Sequence, residues 1–224
     1  MSKKKVTKQA NEFDEKLSTS ISFYEKNKKA ILWGIGGVLA IIIIVLLIHQ
    51  FYITPRNNHA NESIFPAEQA FLDGNYDKAL NGDGTNLGFL AVINQYGNTK
   101  AGNIACLYAA KCYAATEKYQ EAIDMLNKYD GCGDAMISPA ATALKGNCYA
   151  ELGENEKAAE LLLKAAKEAD NNTVSPTCLL QAGQLFIALG QKDKAIDCFN
   201  QIKNKYQQSS LYYEIDKYIE AAQQ

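Results

Sequence analysis

A segment of 22 residues that recurs three times in the second half of the chain constrains the fold more than any other feature. The copies, residues 108–129, 144–165 and 181–202, align without gaps and start 36 and 37 residues apart. Each copy shows the apolar periodicity of two helices joined by a short turn. A unit of this size cannot bury its apolar face alone, so successive units must stack. The sequence therefore predicts an all-α solenoid of antiparallel helical hairpins.

The copies carry the same residue types at the same positions. A small residue on the first helix is followed three positions later by an aromatic residue and twelve positions later by alanine. These residues are Ala110, Gly146 and Gly183, then Tyr113, Tyr149 and Phe186, then Ala122, Ala158 and Ala195. The small residues allow close helix approach, and we predict turns at 116–117, 153–154 and 190–191, with Ser138 and Ser175 as N-caps before a proline. This is the tetratricopeptide repeat pattern, with its period of about 34 residues slightly lengthened.

A degenerate fourth copy precedes these three. Residues 71–80 contain the same turn, with Ala79 at the position of Ala122. The Gly- and Asn-rich segment 81–88 interrupts the second helix, which resumes at 89–96. Asp83 alone supplies too few carboxylates for a calcium loop, so we interpret this segment as a structural kink. The predicted repeats are 64–98, 100–130, 139–170 and 176–207, and Leu211, Ile215, Tyr218 and Ile219 mark a capping helix at 209–222.

An uncharged apolar run, Ala30 to Ile48, precedes the repeats. Its 19 residues would span about 28 Å as a helix, close to the hydrocarbon thickness of a bilayer. Trp33, Phe51 and Tyr52 suit the two membrane interfaces. A cleaved signal peptide is the main alternative, but it would have a shorter apolar core and a small-x-small cleavage site. We predict a retained transmembrane helix over 30–53, with Ala30–Ile48 in contact with lipid.

The charge distribution predicts how this helix is oriented. The first 29 residues carry eight Lys and four acidic groups, a net charge of +4, whereas residues 30–224 carry −6. Since Lys-rich flanks stay in the cytoplasm, we expect a cytoplasmic tail at 1–29, a linker at 54–63 and a translocated repeat domain at 64–224. Within the tail, Phe13, Leu17, Ile21 and Tyr24 lie on one helical face, which indicates either an amphipathic surface helix or a plain extension of the span.

The sequence offers little for catalysis, and we predict that the protein is not an enzyme. It has no Gly-rich phosphate loop, and its two histidines, His49 and His59, lie outside 64–224. We therefore predict no cofactor and no metal site, and the near-neutral charge of −2 argues against nucleic-acid binding. The six cysteines lack a CxxC spacing, which leaves disulfides or buried small residues as alternatives. Cys132, in a Gly-rich connection, is the one we expect to be exposed.

The first helices of stacked hairpins line a concave face, where we predict partner binding. The repeat register puts a polar row there, formed by Lys111, Asn147 and Gln184, with small or apolar neighbours. The remaining members of this partner-binding set are Leu107, Ala114, Ala150, Leu180 and Ile187. A row of this kind can hydrogen-bond a peptide backbone while its neighbours hold side chains, although a merely solvated wall is the alternative.

The Lys-rich tail ending EKNKKAILW, the single span, and the segments NGDGTNLGFLAVINQYGNTKAGNIACLYAAKCY and DKAIDCFNQIKNKYQQS resemble membrane-anchored tetratricopeptide proteins of Bacteroidota-type Gram-negative bacteria. These are similar to the YfgM-type ancillary subunit of the SecYEG translocon. The resemblance implies an inner-membrane protein with a periplasmic domain that works with periplasmic chaperones. It supplies no catalytic residues, and Lys111 and Asn147 alone do not form a clamp for a C-terminal carboxylate. The alternatives are an assembly subunit of another envelope machine, such as cytochrome c maturation, and a self-associating homo-oligomer.

Overall fold

The structure is a computed structural model. It describes the backbone of residues 2–223 and the side chains of residues 24–30 and 32–223. The chain divides into two compact units, Met1–Pro55 and Arg56–Gln224. The amphipathic face predicted from Phe13, Leu17 and Ile21 lies outside the described side chains.

The first unit is helical throughout its described length. Helix α1 extends over Ser2–Ile48 and includes the apolar run. A single π-helical turn, His49–Ile53, follows it. The hydroxyl of Thr54 donates a hydrogen bond to the His49 carbonyl oxygen at 3.0 Å. The His49 carbonyl of the π-helical turn is thus hydrogen-bonded by a side chain.

The second unit is a stack of helical hairpins, and the predicted all-α architecture is confirmed. Its helices are α2 Thr54–Leu72, α3 Tyr76–Asn81, α4 Phe89–Tyr96, α5 Lys100–Ala115, α6 Tyr119–Lys128, α7 Ile137–Glu151, α8 Asn155–Ala169, α9 Ser175–Ala188, α10 Lys192–Lys205 and α11 Ile215–Gln223. Helices α5 and α6, α7 and α8, and α9 and α10 form three hairpins. A degenerate hairpin, the first of four, precedes these three. Its first helix is α2, and α3 and α4 replace a single second helix, as the interruption at 81–88 predicts. A 3-10 turn, Ser210–Tyr213, leads into α11.

The prediction of a linker at 54–63 is wrong, because these residues form the first half of α2. Ala60 and Ile64 are buried in the core of the first hairpin. Arg56 donates from Nε to Asn98 at 3.1 Å and from Nη2 to the Gln95 carbonyl, near the end of α4. Burial and these hydrogen bonds hold residues 54–63 in a helix, although their polar composition is typical of a linker.

All four hairpins turn with the same backbone geometry. The residue in the left-handed conformation is Gly74, Glu117, Gly153 or Gly190, with φ values of 74°, 60°, 80° and 72°. In each turn its N–H and the next N–H bond back to carbonyls three and five residues earlier, at 2.8–3.1 Å. This is a Schellman motif, which satisfies the last carbonyls of the first helix. The shared motif places Gly74 and Ala79 in the register of the later copies.

Small residues bring the two helices of a hairpin together as predicted. A Cβ on Gly183 would lie 2.3 Å from the ring of Phe199, and one on Gly146 would lie 3.1 Å from the Ala158 carbonyl. Ala110, at the equivalent place in the second hairpin, is fully buried. Helices α9 and α10 therefore pack in a way that leaves no room for a side chain at position 183.

Ser138 and Ser175 do not cap their helices in the predicted way. The N-terminal amides of α7 are bound by Asp134, which accepts from the N–H of Met136 at 2.7 Å and from that of Ile137. Asn171 does the same before α9, accepting from Thr173 and Val174 at 2.9 and 2.8 Å. The serines lie inside their helices, where their hydroxyls accept from the preceding loop. The capping side chains thus come from residues four positions earlier.

Candidate functional site

The predicted partner-binding residues lie on the first helices α5, α7 and α9, but they differ in accessibility. Lys111, Gln184 and Ile187 are exposed. Asn147, Ala114, Ala150 and Leu180 are half-buried. Leu107 is only 5% exposed and packs with Ala110, Leu126 and Ala141 between successive hairpins. It therefore supports the wall of the solenoid instead of offering a contact to a partner.

The two amides of the predicted polar row lie on the first helices α7 and α9. Neither Asn147 nor Gln184 has a hydrogen-bond partner within the described part of the chain. An amide that folding leaves without a partner retains its donors and its acceptor for a ligand. Their positions on successive first helices fit the backbone of an extended segment.

Lys111 lies beside a group of aromatic rings that joins the first two hairpins. Its Nζ is 5.5 Å from the ring centroid of Tyr108. Tyr108 stacks on Phe89, with centroids 5.2 Å apart and planes at 6°, and meets Phe71 edge-on at 5.3 Å. A cation over an aromatic face is attracted by the ring quadrupole, so these rings help to position the Lys111 ammonium.

Glu68 joins this site, although the sequence reasoning missed it. Ala67 precedes Ala79 by twelve residues, as Ala110 precedes Ala122, so Glu68 occupies in α2 the position of Lys111 in α5. Burial raises the pKa of its carboxyl group. Burial also raises the pKa of Tyr108, and the negative charge of Glu68 adds to that effect. The repeat register contains the signal for Glu68, provided that the degenerate first copy is extended back from Ala79.

A second concave feature lies between α6, α7 and α8. It is a cavity of about 510 Å³ whose lining includes Leu126, Tyr129, Lys145, Leu161, Lys164 and Glu168. The loop between α6 and α7 forms one edge, held by the Asp130 N–H donating to Asn103 at 2.7 Å and by Asn171 donating to the Ala135 carbonyl at 2.8 Å. The sequence signal for this cavity is the longer connection, 129–136, compared with 170–174 between α8 and α9.

The cysteines are free thiols. Cys132 is exposed, as predicted, and the other five are buried. Burial raises the pKa of Cys112 to about 12 and those of Cys178 and Cys198 to about 11. In the described part of the chain no three His, Cys, Asp or Glu side chains come together in a way that could hold a metal ion. The five buried thiols thus act as small core residues that ionise only at high pH.

The helix that carries the apolar run is long and apolar enough to cross a bilayer. Its most apolar 18-residue window has a mean hydropathy of 3.0 and is unburied. Trp33, Phe51 and Tyr52, the residues predicted for the membrane interfaces, are 82%, 76% and 63% exposed. A core helix of a soluble domain would be mostly buried, so this helix is a candidate membrane span.

Comparisons with known proteins agree with the hairpin architecture. Residues 177–209 match the family model of the tetratricopeptide repeat, and no curated protein shows significant sequence similarity to the chain. The crystal structure of MamA is 20% identical with a TM-score of 0.51, covering 70% of this chain and 92% of MamA. The TPR-like repeats of a Podosopora anserina kinesin light chain are 14% identical with a TM-score of 0.56, covering 74% of this chain and 86% of that one.

At these identities the likeness establishes the fold alone. The chain contains a stack of tetratricopeptide-like hairpins, a fold that typically serves as a non-catalytic scaffold for protein–protein interaction.

Proposed function

We propose that this protein is a membrane-anchored periplasmic adaptor that binds protein segments along the concave face of its hairpins. Lys111, Asn147 and Gln184 carry the proposal, because equivalent polar groups on three successive first helices are left without internal hydrogen bonds or ion pairs among the described residues. A row of free donors and acceptors beside Ala114, Ala150 and Ile187 suits an extended backbone with small side chains.

The apolar helix supports an anchor for this adaptor in the inner membrane. The excess of lysine before Ala30 favours a cytoplasmic N-terminus and a periplasmic solenoid. The layout of tail, span and repeats resembles the YfgM-type subunits, so the partners that we propose are the SecYEG channel and the periplasmic chaperones that meet emerging chains. The runner-up is an assembly subunit of another envelope machine, which would use the same groove for one apoprotein.

Site-directed photocrosslinking in intact membranes tests this function. Photoreactive residues replace Lys111, Gln184 and Trp33, and a matched control replaces Glu160, which is exposed on the second helix α8. Adducts to channel subunits or chaperones from 111 and 184, and not from 160, support the proposal. Adducts to a single assembly factor favour the runner-up, and self-adducts alone favour a homo-oligomeric module. If positions 111 and 184 yield lipid adducts or none, the adaptor function is wrong.

A further inference from the structure

The polar row of the concave face gains a member of opposite charge in the first hairpin. Glu68 on α2, Lys111 on α5, Asn147 on α7 and Gln184 on α9 each follow the small residue of their helix directly. The row therefore reads acid, base, amide, amide. Both of its charges belong to the first two hairpins, and the last two hairpins contribute neutral groups.

Neither charge is neutralised by a residue that the structure describes. Glu68 is half-buried and has no hydrogen bond or ion pair among the described residues. Lys111 contacts the Tyr108 ring, and no carboxylate of the described residues lies within ion-pair distance of it. Partial removal of a carboxylate from water without a partner opposes folding, and an incoming cation offsets that cost. The arrangement is therefore complementary to a ligand that brings one charge of each sign.

We propose that the first two hairpins select a partner segment that carries one basic and one acidic side chain, the basic group at Glu68 and the acidic group at Lys111. This inference rests on the proposed function, since it names the chemistry of the segment that occupies the groove. Phe71 lies one helical turn after Glu68 and Tyr108 one turn before Lys111, and their rings contact each other edge-on, which gives a guanidinium an aromatic surface.

The spacing of the two charges in the partner follows from helix packing. Packed helices lie about 8–10 Å apart, and an extended chain advances about 3.3 Å per residue. A basic and an acidic residue separated by about three positions in an extended segment therefore reach Glu68 and Lys111 together. The amides at 147 and 184 then bind backbone farther along the same segment, without selecting a side-chain charge.

Peptide binding by the full chain in detergent tests this selection. The probes are three fluorescent, blocked hexapeptides: Ala-Arg-Ala-Ala-Glu-Ala, its reverse Ala-Glu-Ala-Ala-Arg-Ala, and the neutral Ala-Gln-Ala-Ala-Gln-Ala. We expect one charged order to bind about tenfold more tightly than the other two probes, because charged hydrogen bonds form in only one direction. Its affinity should fall as salt rises.

The decisive variant exchanges the two charges, Glu68→Lys with Lys111→Glu. We expect it to prefer the opposite peptide order. The single variant Glu68→Gln should lose about tenfold in affinity for the preferred probe, keep affinity for the neutral one, and unfold at the same or a higher temperature, since it removes a partly desolvated charge. Glu160→Gln, on the exposed face of α8, is the matched control and should bind all probes as the native chain does.

The proposal is overturned if the exchange leaves the preference unchanged, if no charged probe binds better than the neutral one, or if Glu68→Gln lowers the unfolding temperature. These outcomes are separable from failure of the adaptor function. Partner adducts at position 184 together with an unchanged peptide preference would show that the groove binds partners without selecting charge. The absence of partner adducts at positions 111 and 184 would instead contradict partner binding in the groove.

Discussion

Position 117 shows how a single residue can depart from an otherwise uniform repeat. Glu117 adopts φ of 60°, where the equivalent turns place Gly74, Gly153 and Gly190. An L-residue in this conformation costs about 1–2 kcal/mol because its Cβ crowds the carbonyl that follows. The Schellman bonds donated by the N–H groups of Glu117 and Lys118 enforce the conformation. The turn of the second hairpin therefore carries strain that the equivalent turns of the other three avoid.

We predict that Glu117→Gly stabilises the protein by about 0.5–1 kcal/mol, the relief of strain less the extra entropy of glycine in the unfolded chain. Urea unfolding of residues 56–224, one compact unit, measures the change. Lys118→Gly is the control, because Lys118 has φ of −90° and gains nothing from glycine. A loss of stability in Glu117→Gly would contradict the strain argument.

Among the small residues of the repeat register, Gly183 leaves less room for a side chain than Gly146. We predict that Gly183→Leu destabilises the last hairpin by about 1–3 kcal/mol or more, because the side chain meets the buried ring of Phe199. Gly146→Ala should cost less, since its nearest contacts are 3.1–3.2 Å. Gly183→Ala combined with Phe199→Leu should recover part of the loss of Gly183→Ala alone. Unchanged thermal stability of Gly183→Leu would show that the repeat alignment is incorrect.

At the scale of elements, one side chain organises the loop between α3 and α4. Asp83 accepts hydrogen bonds from the N–H of Asn86 at 2.8 Å and of Thr85 at 3.1 Å, and pairs with Lys78 at 3.0 Å. These interactions, with the Asn86 N–H first, hold the pKa of Asp83 well below its usual range. The interpretation of this segment as a structural kink therefore has a specific physical basis.

The lowered pKa of Asp83 predicts how the loop responds to acid. Because the folded pKa lies below the unfolded one, the carboxylate stabilises the loop fully above the ordinary Asp pKa of about 3.9, and this stabilisation is lost as the pH falls toward the folded pKa. We expect the amides of Thr85 and Asn86 to remain protected from exchange at pH 4 and to lose protection in stronger acid. Asp83→Ala should lose that protection at every pH. Equal protection in the variant would disprove the role of the carboxylate.

Element positions were predictable wherever local patterning determines them. The interruption at 81–88 follows from its glycines and asparagines, and the hairpin turns follow from the repeated small residues. The start of α2 was not predictable, because Arg56 binds to the end of α4, about 40 residues farther along the chain. The capping roles of Asp134 and Asn171 were also hidden, since a serine–proline pair satisfies the same local rule.

For the whole molecule, the cysteines provide a test of topology. Cys132 is exposed and the other five thiols are buried. We predict that a membrane-impermeant maleimide modifies one thiol in the native chain and six in the unfolded chain. In cells with a permeable outer membrane, labelling of Cys132 places the hairpins in the periplasm, and Cys132→Ser is the control. Labelling that requires lysis of the inner membrane would reverse the predicted orientation.

The candidate site was predictable in part at this scale. The repeat register identified Lys111, Asn147 and Gln184 on successive first helices, because equivalent positions in stacked units share a face. It gave no measure of burial, so Leu107 was included although it packs between hairpins. The same register also contains Glu68 once the degenerate first copy is extended back from Ala79, whereas the shape of the cavity beside α7 depends on how neighbouring hairpins pack together.

Polar contacts between hairpins recur at the repeat length, and this makes the molecule modular. The Tyr206 hydroxyl donates to Asp170 at 3.1 Å, and Asn171 donates to the Ala135 carbonyl, and both pairs are 36 residues apart. Excision of residues 138–174 would join Ile137 to Ser175, which then takes the place of Ser138 in the capping loop. The groove would shorten by one hairpin while its charged end stayed intact. In the proposed groove, the number of hairpins sets the length of partner segment that can be contacted, and Glu68 and Lys111 set its selection by charge. One property can therefore change without the other.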